Sequence, residues 1–142
     1  MVSRRQFLSS GAALVSTVVA GCAARSGSAP RIDRILVSNR RREPHEIHLL
    51  VLDADGDPAT WRAFEFGPRN GSETGSPSGA VLRDLPELSD GWTVHAQLTG
   101  GDSVASLSSG DIENADCVKV DVLVPREEVR DSAELDIIRA SC

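Results

Sequence analysis

The stretch Cys117-Val118-Lys119-Val120-Asp121-Val122-Leu123-Val124 sets four valines at alternate positions, with a lysine and an aspartate between them. Successive side chains of an extended strand point to opposite faces, so this spacing makes one apolar and one polar face; a helix of the same residues would scatter the valines around its axis. Trp92 to Thr99 repeats the arrangement, Trp92, Val94, Ala96 and Leu98 alternating with Thr93, His95, Gln97 and Thr99. One face in the core and one in water is the antiparallel pattern.

The same period, broken by turn residues, runs from Ile32 onward and predicts strands over residues 32–39, 45–53, 60–67, 80–85, 92–99, 103–108, 117–124 and 134–140. Only Pro125 to Ala133, with Pro first and acids in its opening turn, has the pattern of a short helix. Seven or eight short strands with few helices predict an all-β fold, a single antiparallel β-sandwich over residues 32–142. A length of about 110 residues suits one domain with one core.

Ahead of that domain the chain reads MVSRRQFLSSGAALVSTVVAGC. Gly11 to Ala20 supplies about ten apolar or small residues, the length of a signal-peptide core and too short for a membrane span. Ser3-Arg4-Arg5-Gln6-Phe7-Leu8 resembles the twin-arginine export signal through Arg4, Arg5 and Phe7, with Ser9 where a lysine is common. Val19-Ala20-Gly21-Cys22 resembles the lipoprotein signal-peptide box. These resemblances imply that residues 1–21 are a removable signal peptide and that Cys22 becomes a lipidated N-terminus. Residues 22–31 then form a flexible tether, and the domain sits at the cell membrane on its extracytoplasmic face. Two acyl-like chains are needed for firm anchoring, because each buried CH₂ contributes only ~0.8 kcal/mol. The alternative is an uncleaved anchor over Phe7 to Ala24, a poor span given its Ser, Thr and Gly content.

Loss of residues 1–21 removes two of the 15 basic residues and none of the 21 acidic ones, leaving 13 against 21, a net charge of −8. Such a surface repels nucleic acid and anionic head groups, which excludes nucleic acid as a partner. Lys119 is the one lysine, the other basic residues being arginines, a balance suited to solubility at high ionic strength. With Cys22 assigned to lipid, Cys117 and Cys142 remain as a possible disulfide in an oxidising compartment, contributing roughly 3.5 kcal/mol. Two free thiols are the other possibility.

The stretches ILVSNRRREPHEIHLLVLDADGDPATW and DGWTVHAQL, with Cys117 and Cys142, resemble small twin-arginine lipoproteins of halophilic archaea over most of residues 3–142. That resemblance implies an immunoglobulin-like or cupredoxin-like sandwich. It supplies no catalytic residue.

Each candidate site has a structural alternative. Asp53-Ala54-Asp55-Gly56-Asp57 offers alternating carboxylates to a hard cation such as calcium or sodium. Counted from Asp53, however, the glycine and the bidentate acid of an EF-hand loop are replaced by Pro58 and Phe64, and Asp55-Gly56 reads better as a type I′ hairpin turn. His45, His48 and His95 with Cys117 raise the possibility of copper, but no histidine follows Cys117, and the only methionine is Met1. His45 and His48 are three apart on a strand and so belong to opposite faces, and surface histidines are expected. Gly101-Asp102-Ser103-Val104 echoes the start of one esterase family, whose larger α/β fold and C-terminal histidine are missing. Gly75-Ser76-Pro77-Ser78-Gly79 has Pro77 where a nucleophile elbow needs its nucleophile. Asn70-Gly71-Ser72 fits the N-glycosylation pattern in a polar loop. Arg40-Arg41-Arg42 reads as a solvated hairpin tip or a positive spot able to meet acidic lipid or an acidic partner. Trp61 and Trp92 are expected in the core; one found facing solvent on an edge would mark a binding hot spot.

The reading is a membrane-anchored extracytoplasmic lipoprotein with a non-catalytic binding or structural sandwich, no cofactor, and a surface protein or small molecule as partner. The alternative is a small metal-binding or redox-handling lipoprotein using His45, His48 or His95.

Overall fold

The computed structural model describes residues 27–69 and 78–142. Arg4, Arg5, Phe7, Cys22, residues 23–26 of the tether and Asn70 lie outside the described residues. The chain is an all-β sandwich of strands β1 (Arg31–Asn39), β2 (His45–Asp53), β3 (Pro58–Phe66), β4 (Gly79–Leu82), β5 (Trp92–Leu98), β6 (Val104–Ser108), β7 (Cys117–Val124) and β8 (Asp136–Ser141). They form two four-stranded sheets, ordered β4-β1-β7-β8 and β3-β2-β5-β6. Hairpins join β2 to β3, β5 to β6 and β7 to β8, while the other connections cross from one sheet to the other.

The pairings are predominantly antiparallel, as expected; that of β1 with β7 is parallel. Alternation fixes which face of a strand is buried and says nothing of the direction of its neighbour. A bulge between Ile32 and Arg34 inserts an extra residue, so Ile32 and Ile35 both face inward although three positions apart. The core is the sum of the inward positions: Ile35, Val37, Ile47, Leu49, Val51, Val94, Val120, Val122 and Val124 are fully buried. Each contributes about 1.5–3 kcal/mol of transfer free energy. Trp92 is among them, 2% exposed, its indole Nε1 donating to the Pro30 carbonyl at 2.8 Å and so fixing where the tether enters.

The Arg40-Arg41-Arg42 segment is not a solvated hairpin tip. It crosses between sheets, and Arg41 is 6% exposed. Its guanidinium donates to the carbonyls of Arg130 (2.9 Å), Asp131 (2.9 Å) and Ser132 (3.2 Å). Asn39, buried beside it, donates to the Glu43 and Gly67 carbonyls and accepts from the Arg41 amide. A buried cation held at Nη1 and Nη2 by carbonyls of the β7–β8 connection, its buried Nε without a partner, is a staple between the two connections.

That staple bears on the helix expected over Pro125 to Ala133, which does not form. The amides of Val129 and Arg130 both donate to the Arg126 carbonyl, and the winding stops there. The carbonyls beyond are turned to Arg41, while Arg130 reaches Asp136 at 2.8 Å, leaving one turn without the bonds needed to propagate. The single 3₁₀ turn among the described helical residues is Ser109–Asp111, and no helix there is long and apolar enough to cross a membrane.

Cys117 and Cys142 form a disulfide, with Cα atoms 5.4 Å apart, tying β7 to the end of β8. Closing a separation of 25 residues contributes roughly 3.5 kcal/mol in the chain-entropy model.

Candidate binding face

The outward side of β3-β2-β5-β6 is assembled by register. Trp61 of β3 stands opposite Leu50 of β2, which stands opposite His95 of β5, which stands opposite Ser106 of β6. The adjoining row is Ala63, His48, Gln97 and Val104. These positions face out because Ile47, Leu49 and Val51 on β2 take the buried face. Trp61, expected in the core, is 63% exposed and lies on edge strand β3; this is a correction. The stretch Thr60-Trp61-Arg62-Ala63-Phe64-Glu65 mixes polar and apolar residues on both faces, so its own alternation does not orient the indole. A signal lay in β2, where Leu50 and Leu52 make the outward face aliphatic as well.

His48 flanks the indole, its ring stacked on Trp61 with centroids 6.2 Å apart and planes 27° apart. Its Nε2 lies 2.6 Å from Glu46 Oε1 and 2.8 Å from Thr99 Oγ1, and the Thr99 hydroxyl donates to the same Glu46 oxygen at 2.7 Å. The Thr99 hydroxyl holds the Glu46 carboxyl below its ordinary range, burial works the other way, and His48 adds to the lowering. Hydroxyl, imidazole and carboxylate thus meet, but at one ring nitrogen. A nucleophile relay needs the acid on one nitrogen and the hydroxyl on the other, so this is a rigidifying cluster. His95 Nδ1 pairs with Ser106 Oγ at 2.9 Å, Thr93 Oγ1 with Ser108 Oγ at 2.9 Å, and Gln97 Nε2 donates to the Gly101 carbonyl at 2.9 Å. Across the two central rows there is no Asp, Glu, Lys or Arg, in a chain that is 25% charged.

The histidines divide as the strand period requires. His48 and His95 share this face as diagonal neighbours, whereas His45 is opposite Phe66 on the other face, half-buried, with a buried Nε2 that has no hydrogen-bond partner. Burial lowers the His45 pKa, Glu43 and Glu127 oppose that, and Arg41 adds to it. Among the described residues the group of three convergent potential metal ligands is Asp33, Cys117 and Cys142, without a histidine and with both sulfurs in the disulfide.

Asp53-Ala54-Asp55-Gly56-Asp57 is a hairpin turn joining β2 to β3. Asp53 Oδ1 accepts from the amides of Asp55 and Asp57, both at 2.9 Å, and Gly56 alone there has positive φ, at +83°. A type I′ turn needs two such residues, so that assignment is corrected to a longer loop closed by the Asp53 side chain. A cleft of about 350 Å³ beside it gathers Asp53, Asp55, Glu87 and Asp90. A second, of about 460 Å³, lies between the end of the tether and the β4–β5 connection, with Arg31 and Arg83 set against Asp33, Glu87 and Asp116.

No family model matches this chain, and no curated protein matches it. Among solved structures it is similar to one titled "Trapped Toxin", with 8% identity and a TM-score of 0.25, covering 77% of this chain. The chain spans 23% of that structure's length, and the likeness carries no functional argument.

Proposed function

We propose that this protein is a lipid-anchored, extracytoplasmic binding module that is not itself catalytic, held at the cell membrane through Cys22. The outward face of β3-β2-β5-β6 receives a surface protein or a small molecule. The observation that carries this reading is Trp61, a large aromatic 63% exposed on a face whose central rows lack charge. Aromatics in such settings dominate binding energetics, because they bring much contact area at low entropy cost. Contact is through the face rather than by strand addition. Arg62 occupies an inward register position opposite Leu49 on the edge strand yet is exposed, and an inward-pointing charge discourages another strand from pairing there. The Arg-Arg and Cys22 motifs support the anchoring half of the proposal, together with the immunoglobulin-like or cupredoxin-like resemblance.

One experiment addresses both halves. The full chain, produced in a host with twin-arginine export, carries a photo-crosslinking aromatic at position 61 or, as control, at position 138. It is expected to partition into detergent as wild type and into water as Cys22→Ser, and to crosslink from position 61 only. Aqueous partition of the wild type defeats the anchor, and equal crosslinking from both positions defeats the face.

A further inference from the structure

The two sulfurs of the disulfide are not equivalent. Cys142 is exposed and Cys117 is half-buried. Arg31 stands opposite Cys117 in the parallel ladder of β1 and β7, and its Nη2 lies 3.4 Å from Cys117 Sγ. Its Nη1 contacts Asp33 Oδ1 at 3.4 Å, which turns the guanidinium toward the bridge, and Asp33 is the residue inserted by the β1 bulge. One half of the bridge therefore belongs to an exposed residue, and the sulfur of the other has a guanidinium beside it.

We propose that Cys142 is a thiol-exchange site, the sulfur of this exposed residue accepting a low-molecular-weight thiolate while Cys117 leaves beside Arg31. The incoming thiolate attacks Cys142 Sγ, a new S–S bond forms to Cys142, and the Cys117–Cys142 bond breaks. Its electron pair goes to Cys117 Sγ as a thiolate. One disulfide replaces another and one thiolate replaces another, so no further oxidant or reductant enters. Exchange is faster at a reachable sulfur and when the leaving thiol is the more acidic, and a neighbouring guanidinium makes a thiol more acidic. Both preferences select the same direction of opening. Asp33 opposes the thiolate, but its charge is met by the same arginine.

The test uses the folded full chain and glutathione, followed by acid quench and peptide mapping, with circular dichroism checking that the sheets persist. The mixed disulfide is expected on Cys142 in roughly tenfold excess over Cys117, with Cys117 free to alkylate. Arg31→Gln is expected to slow opening about threefold, and Arg31→Lys, which keeps the charge, to restore most of the rate. Arg31 is largely exposed, so neither variant threatens folding. An adduct mainly on Cys117, equal labelling of both, or no adduct at glutathione levels that modify the urea-unfolded chain overturns the proposal. An unchanged rate and site in Arg31→Gln overturns it as well.

Discussion

The two outward faces of the sandwich follow the same strand alternation and differ in chemistry. On β3-β2-β5-β6 the exposed Trp61 continues into Leu50, with histidine, amide, hydroxyl and aliphatic groups filling the two central rows and the carboxylates of Glu46 and Glu65 in the next row. On β4-β1-β7-β8 the corresponding row is Val81, Leu36, Asp121 and Ile138, flanked by Arg34 and Lys119 on one side and by Ser38, Leu123 and Asp136 on the other. Its exposed aliphatics, Val81 at 48% and Ile138 at 53%, stand on opposite edges with a carboxylate between them. Folding demands the same of both sheets on the inside. Outside it demands little, so the uncharged central rows around Trp61 on one face and the central row interrupted by Asp121 on the other are the contrast on which the proposed binding face rests.

Adjacent residues of β2 test that separation most strongly. Leu49 is fully buried and Leu50 is half-buried on the outward face. Leu49→Ala is expected to cost about 2–5 kcal/mol, by lost transfer energy and an unfilled cavity. Leu50→Ala should cost only about 1 kcal/mol, because water already reaches the side chain. Urea unfolding midpoints at constant m-value give both numbers. Equal costs would mean that something covers the outward face and would break the contrast.

The same logic explains what could be read in advance. Val118 to Val124 and Trp92 to Leu98 announced strands and their buried sides because period two is a local property. Local pattern also placed the β2–β3 hairpin at Asp55-Gly56. It did not reveal that β1 runs parallel to β7, or that the short segment through Arg40 to Arg42 changes sheets, because pairing direction and sheet membership are set by contacts far apart in sequence. Arg41 was misread for the same reason: a cation looks solvated until the carbonyls of residues 130–132 arrive, 89 to 91 positions away. Trp61 was misread because an indole's preference for burial is only an average, and an edge position overrides it.

A smaller effect is expected from pH. His45 occupies the face opposite to His48, and burial, its largest influence, lowers its pKa from 6.5. The folded state thus disfavours the protonated ring more than the unfolded chain does. The folded chain has its full stability above about pH 6.5, and loses part of it as pH falls from there toward the lowered folded value. His45→Gln should flatten that part of the stability curve. Midpoints that stay constant for the wild type between neutral and mildly acidic pH would show His45 to be as solvated as an outward-facing ring.

The smallest expected change in stability comes from the largest exposed side chain. Trp61→Ala and Ile138→Ala should each shift unfolding by no more than about 0.5 kcal/mol, since both side chains are already mostly in water. The loss of the His48 stack falls within the same bound because that contact, at 6.2 Å, is itself exposed. Position 61 should nevertheless differ from position 138 in binding, where loss of a hot-spot aromatic costs about 2 kcal/mol or more, roughly thirtyfold in affinity. If Trp61→Ala destabilises the fold by as much as Leu49→Ala, the indole belongs to the packing after all. Its apolar area would then be already committed to the fold rather than free for a partner.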